Sequence, residues 1–330
     1  MRKFSRPGVE ARPFTATVSA TVSATVSATV TATATATVTA TATSFTSCSG
    51  PMPPAPTPAA PPSRWPLPPL VGASMGLHVA AAGAAVLLPE ALAWAGGVVL
   101  ANHLVLAAVG LWPRSTLLGP NLRRLPAAAA ARGELALTID DGPDAEVTPA
   151  VLDLLAEHAA PATFFCIAEQ ARAQPALVRR IVAAGHSVQN HSRHHRHHFS
   201  LLGPRALAAE IGDAQALLAD ITGQRPHCFR APAGLRNPLL DPVLHRMGLH
   251  LTSWTRRGFD TREADPQVVL ERLAKGLAAG DILLLHDGNA RRSAGGRAVL
   301  LDVLPTLLQR CREAGLRPVT LATAVPARGA

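Results

Sequence analysis

From Gly133 onward the chain alternates short apolar runs with longer helical ones, and this alternation limits its fold more than any other feature. "ELALTID", "ATFFCIA", "HSVQN", "HCFRAP", "LHLTSWT", "DILLLHDG" and "RPVTLATA" read as strands. "TPAVLDLLAEHA", "PALVRRIVAAG", "PRALAAEIGDAQALLADITG", "PLLDPVLHRMG", "PQVVLERLAKGLAAG" and "AVLLDVLPTLLQRCREAG" read as the helices between them. Strands separated by helices of that length pair in parallel as βαβ units. Roughly seven such units predict an α/β barrel, smaller than the usual eight-stranded one. In a barrel of this kind, reactive groups gather at the C-terminal ends of the strands. Four strand ends carry polar groups there: Asp140-Asp141, His191, Arg230 and His286-Asp287.

The residues before Gly133 are of another kind. "TATVSATVSATVSATVTATATATVTATATS" is a short repeat with nothing to pack against, and "PMPPAPTPAAPPSRWPLPPL" is a Pro-rich linker. Residues 1–66 are therefore expected to be a disordered tail, with Met52 as an alternative start to Met1. Residues 67–113 hold two charge-free apolar runs on either side of Pro89-Glu90, each about the ~20 residues that cross a bilayer. They predict a transmembrane helical hairpin, interrupted only by His78 and Asn102-His103; a buried soluble hairpin is the alternative. Residues 114–132 follow as a linker, and 133–325 as the barrel domain.

Arg64 precedes the first run and Arg114, Arg123, Arg124 and Arg132 follow the second, whereas the turn between them offers only Glu90. The positive-inside rule then puts both ends of the hairpin, and the domain, on the cytoplasmic side of the cell membrane. If only one run spans, the domain lies outside. The four Cys show no metal or disulfide spacing. The net charge of +9 comes from scattered Arg without an aromatic-rich basic motif, which argues against nucleic acid and for anionic membrane lipids as the partner.

Chemistry concentrates in "TIDDGP" and "NHSRHHRHHFS". Neighbouring side chains on a strand diverge, so one Asp of the pair can bind a metal while the other faces its open position. One carboxylate and two imidazoles form an open ligand set for a catalytic divalent ion. Both His191/His195 and His194/His198 have the spacing that puts two rings on one helical face. His191 lies nearest the strand tip, which favours the first pair and leaves His194, His197 and His198 outside the ligand set.

"TIDDGP", "NHSRHH", "FRAPAG" and "ILLLHD", in that order, resemble the motifs of NodB-type polysaccharide deacetylases, carbohydrate esterase family 4. The resemblance spans about residues 133–323 and implies a distorted (β/α)7 barrel, the NodB homology domain. It implies metal-dependent removal of an N- or O-acyl group from a sugar, with Zn2+ as the expected ion. Asp141, His191 and His195 would be the ligands, Asp140 the general base and His286 the general acid. Arg230 would orient Asp140, and Leu284 would line the pocket for the acyl methyl group. Zn2+ lowers the pKa of its water from near 16 to roughly 7, and an imidazolium can protonate the departing amine. Ala233 stands where the family carries Tyr, so only its backbone N–H could serve the substrate. "SWTRRGFDT" matches the remaining motif weakly: Asp260 is the best candidate for the carboxylate that tunes the acid, with Arg257 and Thr261 in place of an Asp and a Trp.

The expected function is membrane-anchored, metal-dependent removal of an N-acyl (acetyl) group from an acylated amino-sugar glycan. The alternatives are a deformylase or deacetylase of a lipid-linked sugar at the cytoplasmic membrane face and, in another class, a non-catalytic carbohydrate-binding membrane protein.

Overall fold

The computed structural model describes residues 64–328; the expected tail falls almost wholly outside the described residues. Helices α1 (Pro69–Leu87) and α2 (Leu92–Gly110) form a hairpin through a 3-10 turn at Pro89–Ala91. Both are long and apolar enough to cross a membrane, with mean hydropathy 1.8, and almost none of their residues are buried. The polar interruptions meet each other: Asn102 Nδ2 donates to Ser74 Oγ at 2.8 Å, and the rings of His78 and His103 stand edge-on 5.0 Å apart. Such pairs satisfy polar groups that the apolar helix faces cannot.

Two contacts tie the hairpin to the rest of the protein. Arg236 N–H donates to the Gly110 carbonyl at 3.2 Å, and a Cβ at Gly110 would stand 2.2 Å from the Arg236 carbonyl oxygen, so only Gly fits. Just before α1, Trp65 Nε1 donates to Asp241 Oδ2 at 2.7 Å. Residues 114–132 pack closely on the domain. Leu118, Leu125 and Ala129 are buried, Leu122 bridges to Thr252, Arg124 bridges to Asp281, and 127–131 form a short helix, α3 (Ala127–Ala131).

The domain then follows the βα pattern. The strands are β1 (Glu134–Asp140), β2 (Thr163–Cys166), β3 (Ser187–Asn190), β4 (Cys228–Phe229), β5 (His250–Leu251), β6 (Arg256–Arg257), β7 (Ile282–His286) and β8 (Arg317–Val319). Between them run α4 (Val147–Glu157), α5 (Ala168–Ala173), α6 (Pro175–Ala183), α7 (Pro204–Thr222), α8 (Leu240–Met247), α9 (Pro266–Ala274) and α10 (Val299–Glu313); α11 (Leu321–Ala324) ends the order. Every strand pair is parallel, in the order β5-β4-β3-β2-β1-β7-β6, with β8 also on β1. The outermost strands β5 and β6 are joined by 252–255, a link that reaches at most about 18 Å. The sheet must therefore curl until its two edges face each other, which gives the distorted (β/α)7 barrel.

Three strands keep fewer than half the residues of their sequence patterns. "HCFRAP" and "LHLTSWT" keep two strand residues each, and "RPVTLATA" turns helical after Val319, where Thr320 Oγ1 accepts from Thr323 N–H and caps α11. β6 and α5 have too few residues to show a periodic pattern.

Period-two alternation sorts the side chains. Leu135, Leu137 and Ile139 on β1, with Leu283 and Leu285 on β7, join the core beneath the outer helices. Ala136 and Leu284 face the barrel interior with Phe165, Cys228 and Trp254. Thr138, Asp140 and His286 share that inward phase. The register pairs Asp140 with His286.

Candidate active site

Asp140 ends β1, and Asp141 follows with φ 75°. An Asp tolerates this left-handed conformation better than a bulky residue would. Across the barrel, Arg230 follows β4 and is 1% exposed. Its Nη1 donates to Asp140 Oδ1 at 2.6 Å and to Thr138 Oγ1 at 2.9 Å, and its Nη2 donates to the Ser253 carbonyl at 3.0 Å. The guanidinium lies over the Phe165 ring at 4.1 Å. These contacts fix Asp140 from behind.

His191 leaves β3 and His195 follows it in a loop, not in a helix. The helical-face rationale for this pair is thus corrected. The pair itself meets, its ring centroids 4.9 Å apart, because Ser192 and His195 both take positive φ and fold the loop back. Ser192 Oγ accepts from His195 N–H at 3.1 Å and holds that turn. His191 Nδ1 sits 2.8 Å from the Arg230 carbonyl, which aims Nε2 inward. Both Nε2 atoms lie 3.2 Å from Asp141 Oδ1, a buried oxygen that makes no hydrogen bond.

The three groups offer ligand atoms all within 4.8 Å of one another. An orphaned carboxylate oxygen facing two imidazole nitrogens fits a divalent cation. Electrostatics agree. Burial opposes the Asp141 charge, but the rings of His191, His286 and His195 outweigh it and hold the carboxyl well below the usual range. Burial and the neighbouring His191 keep His195 below an ordinary imidazole, in the neutral form that binds metals. Burial also opposes charge on His191, yet the carboxylates of Asp140 and Asp141 raise it overall.

His286 ends β7 beside Asp140. Its Nδ1 is 2.9 Å from Asp260 Oδ1, and its backbone N–H donates to Asp260 Oδ2 at 2.7 Å. Burial pulls this imidazole down, but Asp260 and the two strand-end carboxylates lift it above its ordinary value.

Asp140, Asp141, His191, His195, Ala233, Leu284 and His286 all line one cavity of about 280 Å³. Arg230 and Asp260 stand behind it. His194 turns away to Glu210 Oε1 at 2.8 Å, His198 is exposed, and His197 reaches the cavity rim. Trp254, Arg257 and Arg262 also line the cavity; Trp254 and Arg257 lie in the weakly matching "SWTRRGFDT", and no spacing in the sequence points to Arg262. Asp287 is buried behind the cluster, where Thr148 Oγ1 donates to it at 2.5 Å and burial pushes its carboxyl up to about 7. It packs against Gly142, whose added Cβ would lie 2.3 Å from Asp287 Oδ1. The "HDG" doublet at a strand end is the signal for it.

Residues 128–252 match the family described as polysaccharide deacetylase. A chitooligosaccharide deacetylase of Sinorhizobium fredii is 34% identical, over 51% of this chain and 78% of that one. A peptidoglycan-N-acetylglucosamine deacetylase of Bacillus cereus is 33% identical, over 57% and 85%. The chain belongs to carbohydrate esterase family 4, the polysaccharide deacetylases. A solved family 4 carbohydrate esterase from Streptomyces lividans superposes with a TM-score of 0.53 at 30% identity, over 59% of this chain and 96% of that one. This polysaccharide deacetylase is accordingly a hydrolase of carbon–nitrogen bonds other than peptide bonds.

Proposed function

We propose that this deacetylase is anchored by α1 and α2 in the cell membrane and removes the acetyl group from an N-acetylated amino sugar, using a divalent cation, Zn2+ by preference. The relatives that act on chitooligosaccharides and on peptidoglycan N-acetylglucosamine support the substrate class. The observation that carries the reading is the Asp140–His286 register pair, set beside the Asp141, His191 and His195 cluster.

Asp141, His191 and His195 would hold the cation, which would supply Lewis acidity to the amide carbonyl and to water. Asp140, fixed by Arg230, takes a proton from the attacking water as its oxygen bonds to the carbonyl carbon. His286, kept protonated by Asp260, gives its proton to the sugar nitrogen as the C–N bond breaks. Acetate and a free amine result, and the Asp140 proton returns the pair to its starting state through solvent. Leu284, facing inward on β7, receives the acetyl methyl group, and the Ala233 segment closes the opposite wall.

Acetate release from N-acetylated sugars by the zinc-loaded full-length protein tests this reading. Release is expected to stop with chelator and to fall about 10²- to 10⁴-fold in Asp140→Asn. Turnover indifferent to both treatments would sink it.

A further inference from the structure

The active-site cavity does not end at the metal cluster. Trp254 and Arg257 line both it and a neighbouring cavity of about 570 Å³. Trp112 and Arg114 line that second cavity and a third, also about 570 Å³, which adds Arg123 and Arg124. The three cavities share lining residues in sequence, from the catalytic residues through Trp254 and Arg257 to Trp112, two residues beyond the end of α2. Among the described residues, no Asp or Glu lines either outer cavity.

Several of these cations are already committed. Arg124 and Arg256 both pair with Asp281, at 3.0 and 2.5 Å, and Arg272 pairs with Glu263 at 3.3 Å. Arg114, Arg123 and Arg257 pair with no carboxylate among the described residues. Arg114 and Arg123 each make one hydrogen bond to a backbone carbonyl. Arg257 is held between Trp254 and Phe259, its guanidinium 5.3 and 5.0 Å from the ring centres, and its buried Nε makes no hydrogen bond. Arg257 lies between aromatic faces within the fields of Asp140 and Asp260 but in no ion pair, whereas Arg114 and Arg123 are exposed and unpaired; planar guanidinium forks left free in this way suit phosphate.

Position chooses the source of that anion. The outer cavities lie where the apolar helix ends and a Trp stands, which is the depth of lipid headgroups. We propose that the sugar is presented on a membrane lipid through a phosphate linkage, and that Arg114, Arg123 and Arg257 bind this phosphate while the N-acyl group enters the active site. The proposal rests on the deacetylase reading and on the hairpin lying in the membrane.

The test uses the full chain in lipid nanodiscs and one amino sugar, N-acetylated or N-formylated, in three forms. The sugar is joined to a short polyprenyl chain through phosphate, joined to an alkyl chain of similar length without phosphate, or supplied as a chitooligosaccharide. The phosphate form is expected to show kcat/KM at least 10-fold above the alkyl form, with that ratio falling toward one in Arg114→Gln/Arg123→Gln. Both side chains are exposed, so the double variant leaves the core intact. A polyprenyl phosphate is also expected to bind the metal-free protein, at least 10-fold more weakly in the double variant, without competition from phosphatidylglycerol vesicles.

Equal turnover of the phosphate and alkyl forms, preference for the polymer, or a ratio that survives the double variant would overturn the proposal and leave the deacetylase reading standing. Competition by phosphatidylglycerol would overturn it by making the outer cavities a general anionic-lipid contact. No acyl release from any form would instead overturn the deacetylase reading, and binding by the metal-free protein would then decide the phosphate site alone.

Discussion

Asp260 shows how much one buried carboxylate governs. It is fully buried, and both its oxygens are spent on His286, one on the ring and one on the backbone. It fixes the orientation of the imidazole and stabilises its charge. Asp260→Asn removes that stabilisation, so the His286 pKa falls and the acid form is lost at lower pH. The alkaline limb of the kcat–pH profile is expected to move toward lower pH, with kcat down about 10- to 100-fold and KM little changed. A limb that stays in place would show that another group donates the proton. Strain collects at the same residues. Asp141, Ser192, His195 and Ala233 all have positive φ, and Phe259, just before Asp260, does too. Backbone held this way costs energy that the surrounding packing must offset, and it recurs where geometry serves chemistry.

At the scale of elements, β3 carries an acid-sensitive support. His186 precedes it, accepts from Ala162 N–H through Nδ1 at 3.2 Å, and tilts against the Phe164 ring. Burial lowers its pKa to about 4, against 6.5 for the free side chain. Protonation therefore favours the unfolded chain. The neutral ring's contribution is complete above pH 6.5 and drains away as pH falls toward 4. His186→Gln is expected to remove this part of the acid destabilisation, about 2 kcal/mol, in denaturant midpoints measured from pH 7 to 4. A variant with the same pH slope as the wild type would contradict it.

Element by element, the sequence was readable where pattern and structure share a period. The seven residues of "ELALTID" alternate as β1 does, so the inward phase of Asp140 and its place at a strand end could be read directly. His191 and His286 followed from the same logic. His195 could be paired with His191 by spacing, but the turn that joins them depends on φ values that no periodicity encodes. Arg262 was out of reach and Arg257 legible only as a departure from the family motif, because β6 is two residues long and its register is set by its neighbour β7.

The whole molecule joins an apolar hairpin to a basic-mouthed barrel. The turn at Glu90 lies at the end of the hairpin opposite Arg64, Arg114 and Arg123; with the hairpin in the membrane as we propose, the positive-inside rule would put the barrel in the cytoplasm. A membrane-impermeant maleimide on intact cells is expected to label Glu90→Cys, whereas Arg123→Cys should react only after lysis. The reverse pattern would turn the protein over. Labelling of both sites would leave one span or none. Cys166, Cys228 and Cys311 are buried and compete little for the reagent, and both variants also carry Cys48→Ser.

The joint at Gly110, where a carbonyl is bonded to Arg236 and no Cβ fits, acts with the Trp65 tether to Asp241 as a two-point clamp on the barrel. With the hairpin seated in a bilayer as proposed, a clamped barrel would not swing toward sugars at arbitrary heights, and its candidate catalytic residues would work at one altitude, as a gauge does. On a glycan built out from a lipid, the enzyme would then modify the sugar at a set number of bonds from the membrane and pass over chemically identical sugars farther along.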